Sequence, residues 1–165
     1  MIEIEAANGG HPGLATLEAS DDEAVTRLFA RMSPESLYRR FFSPVVGPEQ
    51  FTRLVLRVDA HERAAVAAVA GGEVIGVAQY SRVPGACHAD LAIMVADAWQ
   101  RQGLGTRMVA ALASRAAAEG IESFQVDVQG DNYGALHLLQ RVSPGMRLAF
   151  SGGVGEGAFP VGGRE

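Results

Sequence analysis

"DAWQRQGLGTRMVAAL", residues 97–112, sets two glycines two positions apart, with arginines on either side, at the threshold of a long apolar helix pattern. Glycine is a poor helix residue, so its presence there asks for a reason. The first turn of a helix leaves several N–H groups without intrahelical partners and carries the positive end of the macrodipole, which suits a phosphate. Gly103 and Gly105 remove the Cβ atoms that would hold such an anion away, and Arg101 and Arg107 stand where they could add charge from the rim. On the spacing alone, the alternative is a tight turn that simply uses glycine. Two other phosphate loops fail on details. A nucleotide P-loop needs a lysine after its second glycine, and the chain contains none. A dinucleotide fingerprint needs glycine or alanine at position 108, where Met108 stands, and follows the first strand of its fold.

Working outward, Leu104, Met108, Leu112 and Ala116 form one helical stripe, with Gly120 placed as the residue just beyond the helix. "SFQVDVQ" (123–129) then alternates as a strand, and "DNYGALHLLQRV" (131–142) reads as a short helix. "MRLAFSGGVGEGAFPV" (146–161) is either a closing hairpin or a partly disordered tail. Upstream, "CHADLAIMV" (87–95) alternates so that Cys87, Ala89, Leu91, Ile93 and Val95 share one face, and His88, Asp90, Ala92 and Met94 the other. "RAAVAAVA" and "EVIGVAQYSRV" flank Gly71-Gly72 as a hairpin. The first third holds a strand at "LATLEA" and three helix signals. Ser20 to Glu23 has capping-box spacing. Ser33-Pro34 is a cap followed by proline at the first helical position, and Pro48 opens a third helix, with Phe51, Leu54, Val55 and Val58 as its stripe. Antiparallel strands leading into strand, helix, strand imply a mixed sheet with a crossover.

The chain has 165 residues, 48% of them hydrophobic and 20% charged, which suits one α/β (α+β) domain spanning 1–165, with 1–13 and 152–165 read as flexible ends. Net charge is −5 and the basic residues are scattered, which disfavours a nucleic-acid or anionic-membrane surface. All 14 basic residues are arginine. The single Cys87 excludes an intrachain disulfide and a thiolate zinc cluster, so no metal is expected. Neither a signal peptide nor a long apolar run is evident, and a cytoplasmic protein, monomer or homodimer, is expected.

"QRQGLG", residues 100–105, resembles the Gln/Arg-x-x-Gly-x-Gly/Ala loop of the GNAT-type N-acetyltransferases, and "ADLAIMVADAWQ" before it and "DNYGALHLL" after the next strand match as well. The resemblance covers roughly residues 14–150. It implies a splayed, mostly antiparallel mixed sheet flanked by helices, with acetyl-CoA as co-substrate in the gap. By this similarity Gln100, Arg101, Gln102, Gly103, Leu104, Gly105 and Thr106 form the cofactor loop. Backbone groups at Val95 hold the pantetheine arm, and Asn132 helps position the cofactor or caps its own helix. The implied activity is acetyl transfer to a primary amine by direct attack in a ternary complex, with protein lysine or a small-molecule amine as acceptor. The reading from another class is an acyl-CoA-binding sensor or interaction module.

An amine attacks a thioester only when neutral, yet a lysine amine of pKa near 10.4 is about 0.04% neutral at pH 7. Asp90 stands where many relatives carry a catalytic glutamate and is the first candidate for the base, with His88 the second. A strand N–H near Val95 suits the developing oxyanion. Relatives often carry a tyrosine acid where this chain has Leu139. Tyr133 is expected to point elsewhere on its helix. "SPESLYRRFFSP" (33–44) resembles a stretch bordering the acceptor cleft in bacterial protein-lysine acetyltransferases, and Tyr38, Phe41 and Phe42 are the candidate acceptor wall.

Overall fold

The computed structural model describes residues 1–44 and 47–162. Eight strands form one sheet in the order β1-β2-β3-β4-β5-β6-β8-β7. They are β1 (Ile2–Glu5), β2 (Gly13–Thr16), β3 (Arg63–Ala70), β4 (Glu73–Arg82), β5 (His88–Val95), β6 (Ser123–Gln129), β7 (Ala149–Ser151) and β8 (Val154–Pro160). Every neighbouring pair is antiparallel except β5 and β6. Both ends read from the sequence as flexible contain strands, and "MRLAFSGGVGEGAFPV" resolves as a hairpin whose Phe159 is buried beside β6.

Alternation along the strands gives the sheet two apolar faces, each with its own helical layer. On one face α1 (Asp22–Phe29), α2 (Pro34–Phe41) and α3 (Pro48–Val55) pack Val25, Leu28, Leu37, Phe51 and Val55 against Ala65, Ala67, Val77 and Met94. On the other, α4 (Leu104–Ala118) and α5 (Tyr133–Val142) pack Leu104, Met108, Leu112 and Leu139 against Val66, Tyr80, Leu91 and Phe124. The apolar face expected for β5 holds along Ala89, Leu91, Ile93 and Val95, whereas Cys87 lies before the strand and is exposed.

The helix ends follow the sequence with one exception. Ser33 caps α2, its hydroxyl accepting the Ser36 N–H at 3.1 Å, with Pro34 first in the helix. Gly120, at φ 77°, ends α4 in a Schellman turn, its N–H bonded to Ala117 O and that of Ile121 to Ala116 O. The capping box at Ser20–Glu23 does not form. α1 starts a residue later, behind Asp21, whose carboxylate accepts the Glu18 N–H at 2.8 Å instead of a helical one. The turn out of β2 uses the Asp21 carboxylate, and the helix start moves past Ser20.

Candidate functional site

The site begins where the sheet opens. β5 and β6 are in register only from His88–Ser123 to Asp90–Gln125, and the strands part beyond that point. The β4–β5 ladder is unbroken, and its phase is fixed at both ends by Val83 N–H to His88 O at 3.0 Å and Ala96 N–H to Ile75 O at 2.8 Å. Alternate residues of β5 therefore bond to β4, and Ile93 and Val95 turn their N–H and C=O groups the other way, into the gap. Gln100 marks this direction: its side-chain amide donates to Val95 O at 3.1 Å and to Ser36 Oγ at 3.2 Å. The gap is a cleft of about 910 Å³ that takes in β5 from Asp90 to Val95, β6 from Gln125 to Val128, and parts of α2, α4 and α5.

α4 begins at the floor of this cleft. Gly103 caps the helix at φ 80°, a conformation that disfavours any residue with a Cβ, and no side chain caps the first turn. Arg107 N–H bonds back to Gly103 O at 3.3 Å, so the N–H groups through Thr106 precede the helical ladder. Gly103, Leu104, Gly105 and Thr106 all line the cleft. The second glycine has a different reason from the one the sequence suggested. A Cβ at Gly105 would run into the Leu138 side chain of α5, so this glycine is where the two helices touch.

The loop ahead of α4 is tied to the opposite helical layer. Asp97, in a single 3₁₀ turn (Asp97–Trp99), accepts the Ser33 N–H at 3.0 Å. Burial pushes the Asp97 carboxyl up, but hydrogen bonds from the Ser33 N–H and from the Ser33 and Ser36 side chains outweigh this and hold it below the usual carboxylate range. With Gln100 on Ser36, two side chains fasten the loop to the start of α2.

Asp90 lines the cleft with its side chain exposed. His88 shares its face of β5 but lies outside the lining, two residues back in the part still paired to β6. Arg101 lines the cleft at φ 62°. Arg107 does not: its guanidinium is held by Glu5 of β1 at 2.7 Å, turned from the rim by the edge strand the sequence left flexible. Gln102 also stays out, its amide donating to Ala98 O at 3.4 Å. Asn132 lines the cleft and caps α5, its Oδ1 accepting the Ala135 N–H at 3.2 Å. Phe41 and Phe42 form part of the wall, whereas Tyr38 lies outside it on the exposed side of α2. Leu139 is buried and Tyr133 is 73% exposed, although both line the cleft. Arg39 and Arg40, which the sequence offers as the charged edge of that aromatic wall, both line the cleft, as do Asp127 and His137, which the sequence did not single out.

Residues 24–143 match the family model for the acetyltransferase (GNAT) family, and the chain belongs to that family. Among solved structures, the chain is similar to the GNAT domain of PAT from S. lividans, with 25% identity, a TM-score of 0.84, and 96% of this chain covering 95% of that one. A cAMP-binding acyltransferase from Mycobacterium smegmatis matches at 23% identity and a TM-score of 0.66 over 98% of this chain, which spans only 47% of that protein. Spermidine N-acetyltransferase from Vibrio cholerae, solved with CoA and spermine, shares the fold at 15% identity and a TM-score of 0.69, with 92% of this chain covering 96% of that one. At the level of the family, the activity is acetyl transfer from acetyl-CoA to an amine. Among the described residues no helix is long and apolar enough to cross a membrane.

Proposed function

We propose that this protein moves an acetyl group from acetyl-CoA directly to a primary amine held in the same cleft, with protein lysine as first acceptor and a small-molecule amine as second. One observation carries the reading. The open edge of β5 at Ile93 and Val95 leads directly to the uncapped N-terminus of α4 inside one cleft. Acetyl-CoA has matching chemistry in the same order: an amide-bearing arm that pairs as a strand does, then a pyrophosphate that suits a helix N-terminus. The lysine preference rests on the likeness of "SPESLYRRFFSP" to the acceptor-side helix of bacterial protein-lysine acetyltransferases.

In this reading Asp90 takes a proton from the incoming ammonium, directly or through a water, since aspartate is one methylene shorter than the usual glutamate. The neutral nitrogen attacks the thioester carbonyl, and a strand N–H beside Val95 stabilises the oxyanion. Leu139 has no proton to give, so the leaving thiolate takes one from water at the open mouth.

Purified protein, acetyl-CoA and an amine panel, followed by release of free thiol, test the activity. Asp90→Asn keeps the shape and removes the proton acceptor, so turnover should fall about 10²–10⁴-fold at neutral pH with cofactor affinity nearly unchanged. The deficit should shrink as pH rises toward the amine's own pKa, near 10.4 for lysine, because solvent then supplies the neutral nucleophile. Wild-type turnover in the variant at pH 7 would make Asp90 structural and move His88 to first place.

A further inference from the structure

α2 carries two adjacent arginines with different circumstances. Arg39 pairs with Glu35 on its own helix at 2.8 Å. Arg40 forms no hydrogen bond or ion pair with any of the described residues, although Asp90 and Asp127 line the same cleft. Its guanidinium carbon sits 4.5 Å from the centre of the Phe41 ring, and Phe41 packs edge-on against Phe51, which is fully buried. The Nε atom is closed off from solvent without an acceptor. Burial with no counter-charge draws the guanidinium pKa down to about 10. The residue as a whole is half-buried, so its terminal N–H groups remain accessible to a ligand from the cleft, and a planar guanidinium is the side chain best matched to a carboxylate. In the reading proposed above, the cofactor's phosphates have their own seat at the uncapped N-terminus of α4, which lines the same cleft.

We propose that Arg40 is a carboxylate receptor, and that one of the two substrates of this cleft carries a carboxylate to it. The carboxylate comes either from the far end of a dicarboxylic acyl chain or from the acceptor amine. The inference rests on the acyl-transfer reading and narrows its substrates, since neither an acetyl group nor a lysine side chain carries a carboxylate. The chemistry is the same: the nitrogen–carbonyl bond forms and the carbon–sulfur bond breaks, and of the two protons the ammonium gives up in becoming an amide, one passes through Asp90 to solvent and the other is balanced by the proton the thiolate takes from water. Arg40 touches the substrate's carboxylate and not the reacting atoms.

The test uses two matched pairs, succinyl-CoA against acetyl-CoA and 4-aminobutanoate against butylamine. Each is measured by thiol release for kcat/KM and by calorimetry for Kd. The wild-type protein should favour the carboxylate-bearing member of one pair by about 10- to 100-fold, the range of a hydrogen bond to a charged group. The pair that responds identifies the source. Arg40→Met should bring that ratio close to one, and Arg40→Lys should recover part of it, with thermal melting confirming that both variants fold. Absence of preference in either pair for the wild type would overturn the proposal. So would an Arg40→Met variant that weakens CoA, acetyl-CoA and succinyl-CoA alike, which would make Arg40 a phosphate contact. If no pair is turned over, the acetyl-transfer reading fails, and the Kd ratios still decide the carboxylate question.

Discussion

The N-termini of α4 and α5 face the same cleft and are finished in opposite ways. α5 brings its own cap: Asn132 Oδ1 accepts the Ala135 N–H at 3.2 Å and closes the first turn. α4 starts on Gly103, with no side chain over its N–H groups. A cap and an anion compete for the same donors, so a helix that caps itself gains about 1 kcal/mol of stability and is less available to a ligand. One that leaves the donors free keeps the site open. The absence of a cap on α4, more than the presence of glycine, separates the proposed phosphate seat from an ordinary helix start.

The comparison can be broken first at the packing that holds the two helices together. Gly105→Val pushes against the terminal methyl of Leu138, a half-buried side chain that can give way, and should destabilise the protein by about 1 kcal/mol, as read by denaturant titration. Adding Leu138→Ala should restore part of that loss. If Gly105→Val unfolds at the wild-type midpoint, the helices do not meet there as described. This also changes what a binding measurement on Gly105→Val means, because weaker acetyl-CoA binding in that variant would report a displaced helix as well as a lost contact.

A sharper manipulation makes α4 resemble α5. Gly103→Asp supplies a carboxylate cap, which tolerates positive φ better than most side chains and repels phosphate. Acetyl-CoA affinity should fall by roughly 10-fold or more, since a charge-assisted contact is worth about 1.5–3 kcal/mol, while the left-handed backbone at this position should cost about 1–2 kcal/mol of stability, with thermal melting confirming that the variant folds. Unchanged affinity by calorimetry would remove the loop from the cofactor site. The converse, Asn132→Ala, should cost about 1 kcal/mol of stability. Its effect on cofactor affinity separates a cap that only closes α5 from one that also touches the cofactor. The smallest expected effect is none at all. The chain has no lysine, so long incubation with acetyl-CoA should leave its intact mass unchanged except at an N-terminal amine.

Much of the site was legible because it rests on local rules. The positions of Gly103 at a helix start, Asn132 at another and Ser33-Pro34 at a third follow from backbone donors that lie within a few residues. Asp90 and His88 share a face because strands alternate, and β4 and β5 pair through this region without a bulge. What local rules cannot do is say which competitor wins a side chain. Arg107 was close enough in sequence to serve the loop, and Glu5, 102 residues earlier, took it. Ser20 and Glu23 had capping-box spacing, and the turn after β2, held by the Asp21 carboxylate, moved the helix start past Ser20. Tyr38, Phe41 and Phe42 are equivalent as aromatic residues, and only the packing of α2 put two of them in the cleft wall and left the third outside.

The sequence by itself determined the order of elements from β2 to α5, most of the helix starts and stops and the glycine turn at Gly103, since each depends on propensities and periodicities acting over a few residues. Tertiary structure alone decided three things. The parting of β5 from β6 after Asp90 creates the cleft, the contact of α4 with Leu138 gives Gly105 its purpose, and the burial of Arg40 over Phe41 leaves a cation without a partner. The physical reason is common to all three. Each is a relation between atoms brought together from distant parts of the chain or sealed from water, and the free energy of such a relation depends on distance and desolvation that exist only after the sheet and both helical layers have closed.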